Sequence, residues 1–86
     1  MYAVIWLDSV LDKLAEIYVN ADTAERNRMA VGIDTLNRLL SDRPLEMGES
    51  RGGTVRIAFS DLLAVRFRVD SDARIVRVVG VGRIGR

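Results

Sequence analysis

The spacing of apolar residues changes once along this chain of 86 residues, and the change constrains the fold more than any other feature. From Leu7 to Leu40 the apolar residues recur every three or four positions, and from Thr54 onward they alternate with polar ones. A short apolar run, AVIW at 3–6, predicts a strand before the first helix. The predicted order is strand, two helices and three strands. This order indicates a single α+β domain, residues 1–86, with a helical hairpin on one face of a mainly antiparallel sheet of three or four strands.

Local signals predict where the two helices begin and end. Asp8 or Ser9 offers a side-chain oxygen to cap the first helix, and the sequence NAD ends it. Asp22 and Glu25 have the spacing of a capping box, which predicts the start of the second helix. That helix ends at Arg43, because the proline after it disfavours helical geometry in the preceding residue.

Composition excludes several kinds of chemistry. The chain has no cysteine and no histidine, which rules out disulfides, thiolate catalysis and histidine-based zinc sites. We therefore expect neither a metal nor another cofactor. No apolar run approaches the roughly 20 residues of a membrane span and no cleavable signal is evident, so we expect a cytoplasmic protein without membrane contact. The net charge is only +1, so binding of nucleic acid depends on where the arginines lie.

Strand register predicts which arginines share a face. Apolar residues occupy odd-numbered positions in both the second and the third strand. In an antiparallel pair the numbers of opposing residues have a constant sum. The two apolar sets share a face only if that sum is even, so that odd-numbered residues pair with odd-numbered ones. A three-residue connection meets this condition and places Arg56 opposite Arg66. A turn centred on residues 71–72 then places Arg66 opposite Arg77. The pattern thus predicts a row of three arginines, with Arg68 one step away, on the face that points away from the helices.

The same register predicts the core and an unusual outer surface. The predicted core residues of the sheet are Val55, Ile57, Phe59, Leu63, Val65, Phe67, Val69, Val76 and Val78. The last strand also places Ile75, Val79 and Val81 on the arginine face. Like charges opposite each other destabilise a sheet, so arginines among exposed apolar residues indicate a surface for an anion or another chain. A merely solvated face, neutralised by nearby carboxylates, is the alternative.

The order of elements and the residues together resemble the RelE/ParE toxin superfamily of bacterial type II toxin–antitoxin modules. IWLDSVLDKLAEI is similar to the family's first strand and helix, and LNRLLSDRPLEMGESRGG to the end of its second helix and its glycine-rich loop. VRIAFSDLLAVRFRVDSDARIVRVVGVGRIGR is similar to its three-stranded sheet. The resemblance implies a toxin, of a kind linked to plasmid stabilization, that inhibits growth when it is free of its cognate antitoxin.

The resemblance leaves three activities open. The first is a metal-independent endoribonuclease that cleaves messenger RNA in the ribosome, where the ribose 2′-hydroxyl attacks the adjacent phosphate. The second is a ParE-like toxin that poisons DNA gyrase through protein contact, without a catalytic residue set. The third is an inactive member that only binds an antitoxin. A toxin–antitoxin hetero-oligomer or a homodimer is the expected assembly.

For the ribonuclease interpretation, the row and the resemblance together indicate candidate site residues. The candidate catalytic residues are Arg56, Arg66, Arg77 and Arg83. The candidate residues for binding RNA or antitoxin are Arg51, Arg68, Arg86, Ile75, Val79 and Val81.

The chain also departs from the family pattern at positions that matter for catalysis. Ala58 and Ala64 stand where ribonuclease members carry basic residues, and the C-terminal tyrosine or histidine of many active members is absent. The two tyrosines are Tyr2 and Tyr18, both in the N-terminal third, and Tyr18 completes the apolar stripe of the first helix. These departures weigh against the first activity and shift weight toward the second and third.

Overall fold

The computed structural model describes residues 1–50 and 54–85, which form a five-stranded sheet with two helices on one face. In chain order the elements are β1 (Ala3–Trp6), α1 (Asp8–Val19), α2 (Thr23–Asp42), a 3-10 turn (Pro44–Glu46), β2 (Glu49–Ser50), β3 (Val55–Ser60), β4 (Leu63–Asp70) and β5 (Ile75–Arg83). The strand order is β1-β5-β4-β3-β2, and only β1 and β5 are parallel. The predicted α+β architecture is confirmed, with the two-residue β2 as a fifth strand.

The two helices begin in different ways. Asp22 and Glu25 form the predicted capping box: the Glu25 amide donates to Asp22 Oδ1 over 2.8 Å, and the Asp22 amide donates to Glu25 Oε1 over 3.1 Å. The prediction that Asp8 or Ser9 caps α1 is wrong, because Leu7 is the N-cap and makes no side-chain cap. Asp8 instead lies in the first turn, where its negative charge interacts favourably with the helix dipole.

The core lies between the helices and the helix-facing side of the sheet. Its buried residues are Val10, Ile17, Ala21, Met29, Leu36, Leu40, Ala58, Leu63, Val65, Phe67, Val76, Val78 and Val81. The alternation predicted for β4 and for the first half of β5 is therefore confirmed. Trp6 Nε1 donates to Asn37 Oδ1 over 2.9 Å, and this bond joins β1 to α2 at the edge of the core.

The turn between β3 and β4 is shorter than predicted. Ser60 pairs with Leu63, so only Asp61 and Leu62 form the connection, and the prediction of a three-residue connection is wrong. Asp61 has a left-handed φ of 45°, which aspartate tolerates better than most residues. Its carboxylate accepts two hydrogen bonds from Arg28 on α2, over 2.9 and 2.6 Å. The helix therefore holds the short turn in place.

The short turn reverses the two faces of β3. The prediction that its odd-numbered residues belong to the core is wrong, because they face away from the helices: Val55, Ile57 and Phe59. Ala58 is buried on the helix-facing side instead. Arg56 lies opposite Phe67 and not opposite Arg66, so the first predicted arginine pair does not form.

The hairpin between β4 and β5 also differs from the prediction. Asp70 pairs with Ile75, so four residues, 71–74, form the loop in place of two. Asp70 Oδ1 accepts a hydrogen bond from a backbone amide within the loop over 3.0 Å, a side-chain closure typical of aspartate in turns. As a result Arg77 lies opposite Arg68, and the predicted pairing of Arg77 with Arg66 is wrong.

A β-bulge changes which side chains in the second half of β5 point toward the core. Arg66 lies opposite Gly80, and Val79 is the extra residue that breaks the alternation. Val81 consequently faces the core and is 7% exposed, so the prediction that it lies on the arginine face is wrong.

Candidate functional site: an arginine surface on the sheet

The sheet face that points away from the helices, here called the outer face, carries three arginines on two neighbouring strands. Arg68 of β4 and Arg77 of β5 lie directly opposite each other, and Arg66 follows on the same face of β4. These three residues are called the arginine surface. Ile75 lies on the same face of β5, as predicted, and Ile5 of β1 pairs with Arg77 on its other side.

The arginine surface is exposed and has no internal partner in the described part of the chain. Arg66, Arg68 and Arg77 are all exposed, and none makes an ion pair or hydrogen bond with residues 1–50 or 54–85. A shallow recess near the β4–β5 loop is lined by Arg68 and Arg77 together with Asp70 and Asp72. A phosphate or carboxylate between the two arginines would receive charge-assisted hydrogen bonds from both, and it would relieve their repulsion.

Arg66 lies flat on the sheet because residue 80 is glycine. A Cβ on Gly80 would come within 2.3 Å of Arg66 Nη2 and 2.6 Å of Arg66 Cζ. The guanidinium group therefore occupies the space that any other side chain would need. Because the bulge at Val79 brings Gly80 opposite Arg66, the bulge is part of the geometry of the site.

Two of the arginines predicted to be catalytic lie on the helix-facing side. Arg56 Nε donates to the Met47 carbonyl over 3.0 Å. Arg83 lies opposite Leu63 and forms an ion pair with Glu25 of α2, in which the side chains are 16% and 18% exposed. The structure thus separates Arg56 and Arg83 from the arginine surface, and a catalytic role for them stays a prediction.

The remaining candidates are distributed as follows. Val79 is half-buried at the bulge, and Arg51 and Arg86 lie outside the described residues. Tyr18 is half-buried on α1, where burial raises the pKa of its hydroxyl. The guanidinium of Arg74 lies over the ring of Tyr2, 5.5 Å from its centroid.

The apolar part of the outer face was not predicted from the sequence. Ile57 and Phe59 were expected in the core, yet they lie beside the arginine surface. The available signal was Asp61, because aspartate tolerates the left-handed conformation that a two-residue turn requires. Alternation alone does not fix the face, since a change of one residue in the turn exchanges both faces of the strand.

Residues 1–50 and 54–85 contain no group of acidic side chains placed to hold a metal ion. No helix in that part of the chain has the length and hydropathy needed to cross a membrane.

Comparison with known proteins relates the chain to RelE structures. Neither a protein-family model nor a curated protein matches the sequence. The isolated RelE toxin of E. coli is similar in structure, with a TM-score of 0.68 and 16% identity over 100% of this chain and 87% of that chain. The E. coli RelBE toxin-antitoxin complex is similar with a TM-score of 0.66 and 16% sequence identity, over 100% of both chains. The archaeal RelE-RelB complex from Pyrococcus horikoshii is similar with a TM-score of 0.63 and 14% sequence identity, over 99% of this chain and 97% of that chain.

These neighbours have the fold that the sequence resemblance implied. The similarity extends over essentially the whole chain, although sequence identity is low. The chain therefore has the fold of the RelE toxins, and its resemblance to the RelE/ParE superfamily is confirmed at the level of the fold.

Proposed function

We propose that this chain is the toxin of a toxin–antitoxin module. In this proposal the arginine surface binds messenger-RNA phosphates when the protein is free and antitoxin carboxylates when it is silenced. The fold supports the proposal, because two of the similar structures are complexes of a RelE with a RelB partner. The observation that carries it is the arginine surface itself, in which Arg68 and Arg77 face each other on an open sheet.

The fold gives no reason of its own for arginine at these positions. Two like charges directly opposite each other destabilise a sheet, whereas threonine or another β-prone residue would stabilise it. An anionic partner reverses this effect. Each charge-assisted contact that it makes is worth about 1.5–3 kcal/mol.

The proposal assigns binding and charge stabilisation to the arginines, which are two of the requirements for cleavage at a phosphate. Strand cleavage also needs a group that moves protons. The chain has no histidine, and its tyrosines, Tyr2 and Tyr18, pack elsewhere in the molecule. We propose Asp70, which lines the same recess as Arg68 and Arg77, as the carboxylate for this role.

Expressing the chain alone in bacteria tests the proposed function. We expect growth to stop, with protein synthesis lost before any DNA-damage response. Coexpression of an acidic protein encoded next to the gene should restore growth. The double variant Arg68→Ala/Arg77→Ala should accumulate as folded protein without stopping growth.

A matched control removes two arginines outside the arginine surface. Arg38→Ala/Arg43→Ala changes two exposed residues at the C-terminal end of the helical hairpin and should remain toxic. DNA damage that precedes the loss of translation would indicate a gyrase poison. Normal growth with abundant folded wild-type protein would contradict the proposal that the chain is a toxin.

A further inference from the structure

The outer face carries an exposed aromatic ring next to an open strip of small residues. Phe59 of β3 is 57% exposed, whereas phenylalanine is among the residues most often buried. Across the sheet it pairs with Ala64 of β4, which in turn pairs with Gly82 of β5. A Cβ on Gly82 would meet no atom within 4 Å, so the space above this row is open. The ring of Phe59 therefore stands at one end of a shallow flat strip.

This strip lies directly beside the arginine surface. Arg66 follows Ala64 by two residues on the same face of β4, which corresponds to about 6.6 Å along the strand. Arg66 is thus the diagonal neighbour of Phe59 across the β3–β4 pair, and Arg68 lies two residues further along. The aromatic ring, the open strip and the cations follow one another on a single face.

We propose that Phe59 is a base-stacking residue for single-stranded RNA, an inference that rests on the proposed function. A base stacks on the Phe59 ring above Ala64 and Gly82, and the RNA backbone runs along Arg66 and Arg68. A single strand presents unpaired bases, which stack on aromatic side chains while basic residues bind the phosphates.

The geometry favours RNA over an acidic peptide at this position. A nucleotide joins a flat apolar ring to an anion, which matches a flat strip beside a cation. The small side chain of Ala64 and the bare backbone of Gly82 leave room for a planar group, but they offer no pocket for a branched side chain.

Fluorescence anisotropy with two labelled probes tests this inference on the full chain. One probe is a short single-stranded RNA of mixed sequence, and the other is the same strand with abasic nucleotides. Phe59→Ala and Phe59→Leu should each weaken binding of the intact RNA by about 5- to 150-fold and leave binding of the abasic strand unchanged. Phe59→Trp should bind both probes as the wild type does. The leucine variant matters because it keeps apolar area but lacks an aromatic ring.

Two controls separate stacking from structural effects. Val31→Ala removes an exposed apolar side chain of α2, away from the outer face, and should leave both affinities unchanged. Arg68→Ala/Arg77→Ala should weaken both probes, since both retain phosphates. Thermal unfolding of each variant shows whether it is folded, and the exposure of Phe59 predicts that its variants are.

Each alternative outcome has a distinct meaning. Wild-type affinity in Phe59→Leu, with weakened binding in the double arginine variant, would overturn base stacking and leave the proposed function intact. Equal weakening of both probes by the Phe59 variants would also overturn stacking, because the ring would then act without a base. If the Phe59 variants bound a purified antitoxin more weakly but both RNA probes normally, base stacking would be overturned and Phe59 would belong to a protein interface. No binding of RNA by the wild type would overturn both proposals.

Discussion

Arginines on the helical side of the molecule and arginines on the outer face differ in what they bind. On the helical side three arginines bind a carboxylate or a carbonyl, namely Arg28 with Asp61, Arg56 with Met47, and Arg83 with Glu25. Arg38 of α2 is exposed and bonds to none of residues 1–50 or 54–85. Those of the arginine surface bind none of residues 1–50 or 54–85: Arg66, Arg68 and Arg77. The number of arginines therefore says little about function in this fold. An internal partner identifies an arginine that helps to assemble the fold. Two unpartnered arginines directly opposite each other on one sheet face, Arg68 and Arg77, set the arginine surface apart from a lone exposed arginine such as Arg38.

The largest loss of stability is expected for the buried phenylalanine of the sheet, and little loss for the exposed one. Phe67 is fully buried, so Phe67→Ala should lower the free energy of unfolding by about 3–5 kcal/mol. Phe59→Ala should change it by about 0.5 kcal/mol or less, because Phe59 is mostly exposed. Urea denaturation of both variants measures the difference. Similar losses for the two would contradict the register of β3.

The next effect concerns the ion pair between β5 and α2. Arg83→Leu should lower the free energy of unfolding by about 1.5–3 kcal/mol, because it removes a largely buried charge-assisted contact. The affected carboxylate, Glu25, also closes the capping box of α2. Arg77→Leu is the matched control on the outer face and should have no comparable cost. A double-mutant cycle with Glu25→Gln measures the coupling, and a coupling near zero would show that the pair does not stabilise the fold.

Removal of the two facing arginines should not lower the free energy of unfolding and could raise it slightly, in contrast to the losses expected above. Arg68→Ala/Arg77→Ala eliminates a like-charge pair and should leave the free energy of unfolding unchanged or raise it by up to about 1 kcal/mol. Chemical denaturation in low salt, where repulsion is least screened, is the appropriate measurement. A clear loss of stability would show that these arginines have a structural role after all.

The smallest effect is a pH dependence at the β3–β4 turn. The hydrogen bonds from Arg28 hold the pKa of Asp61 below its ordinary value of 3.8, so the folded state favours the charged carboxylate. The resulting stabilisation is present above the ordinary pKa and is lost as the pH falls through the lowered one. The stability difference between the wild type and Asp61→Asn should therefore be constant near neutral pH and shrink below about pH 4. A difference that does not vary with pH would contradict this assignment.

Hydrophobic alternation predicted the order of elements and the faces of β4, but not those of β3. In β4 the apolar residues alternate with arginines, so only one face suits the core. In β3 both sets are compatible with burial, because Ala58 and Ser60 are small and Ile57 and Phe59 are apolar. The face is then decided by the length of the turn. A turn of two residues held by Arg28 is a tertiary feature that local pattern does not reveal.

The candidate site was predictable to a similar extent. Arg66, Arg68 and Arg77 lie on the outer face as predicted, because their positions follow the alternation of β4 and of the first half of β5. Their pairing was not predictable, since it depends on a four-residue loop and on the bulge at Val79. The bulge also moved Val81 into the core.

The proposed role of the arginine surface is to bind an anionic partner, without being needed for folding. Its most direct test is the salt dependence of binding to single-stranded RNA, measured for the wild type, Arg68→Ala/Arg77→Ala and Arg38→Ala/Arg43→Ala. With about 0.7 per phosphate contact on a single strand, the first double variant should flatten the slope of log affinity against log salt by about 1.4, with no loss of folding stability. The second should leave the slope unchanged. Equal slopes for all three proteins would contradict phosphate binding at the arginine surface and make it an ordinary solvated face.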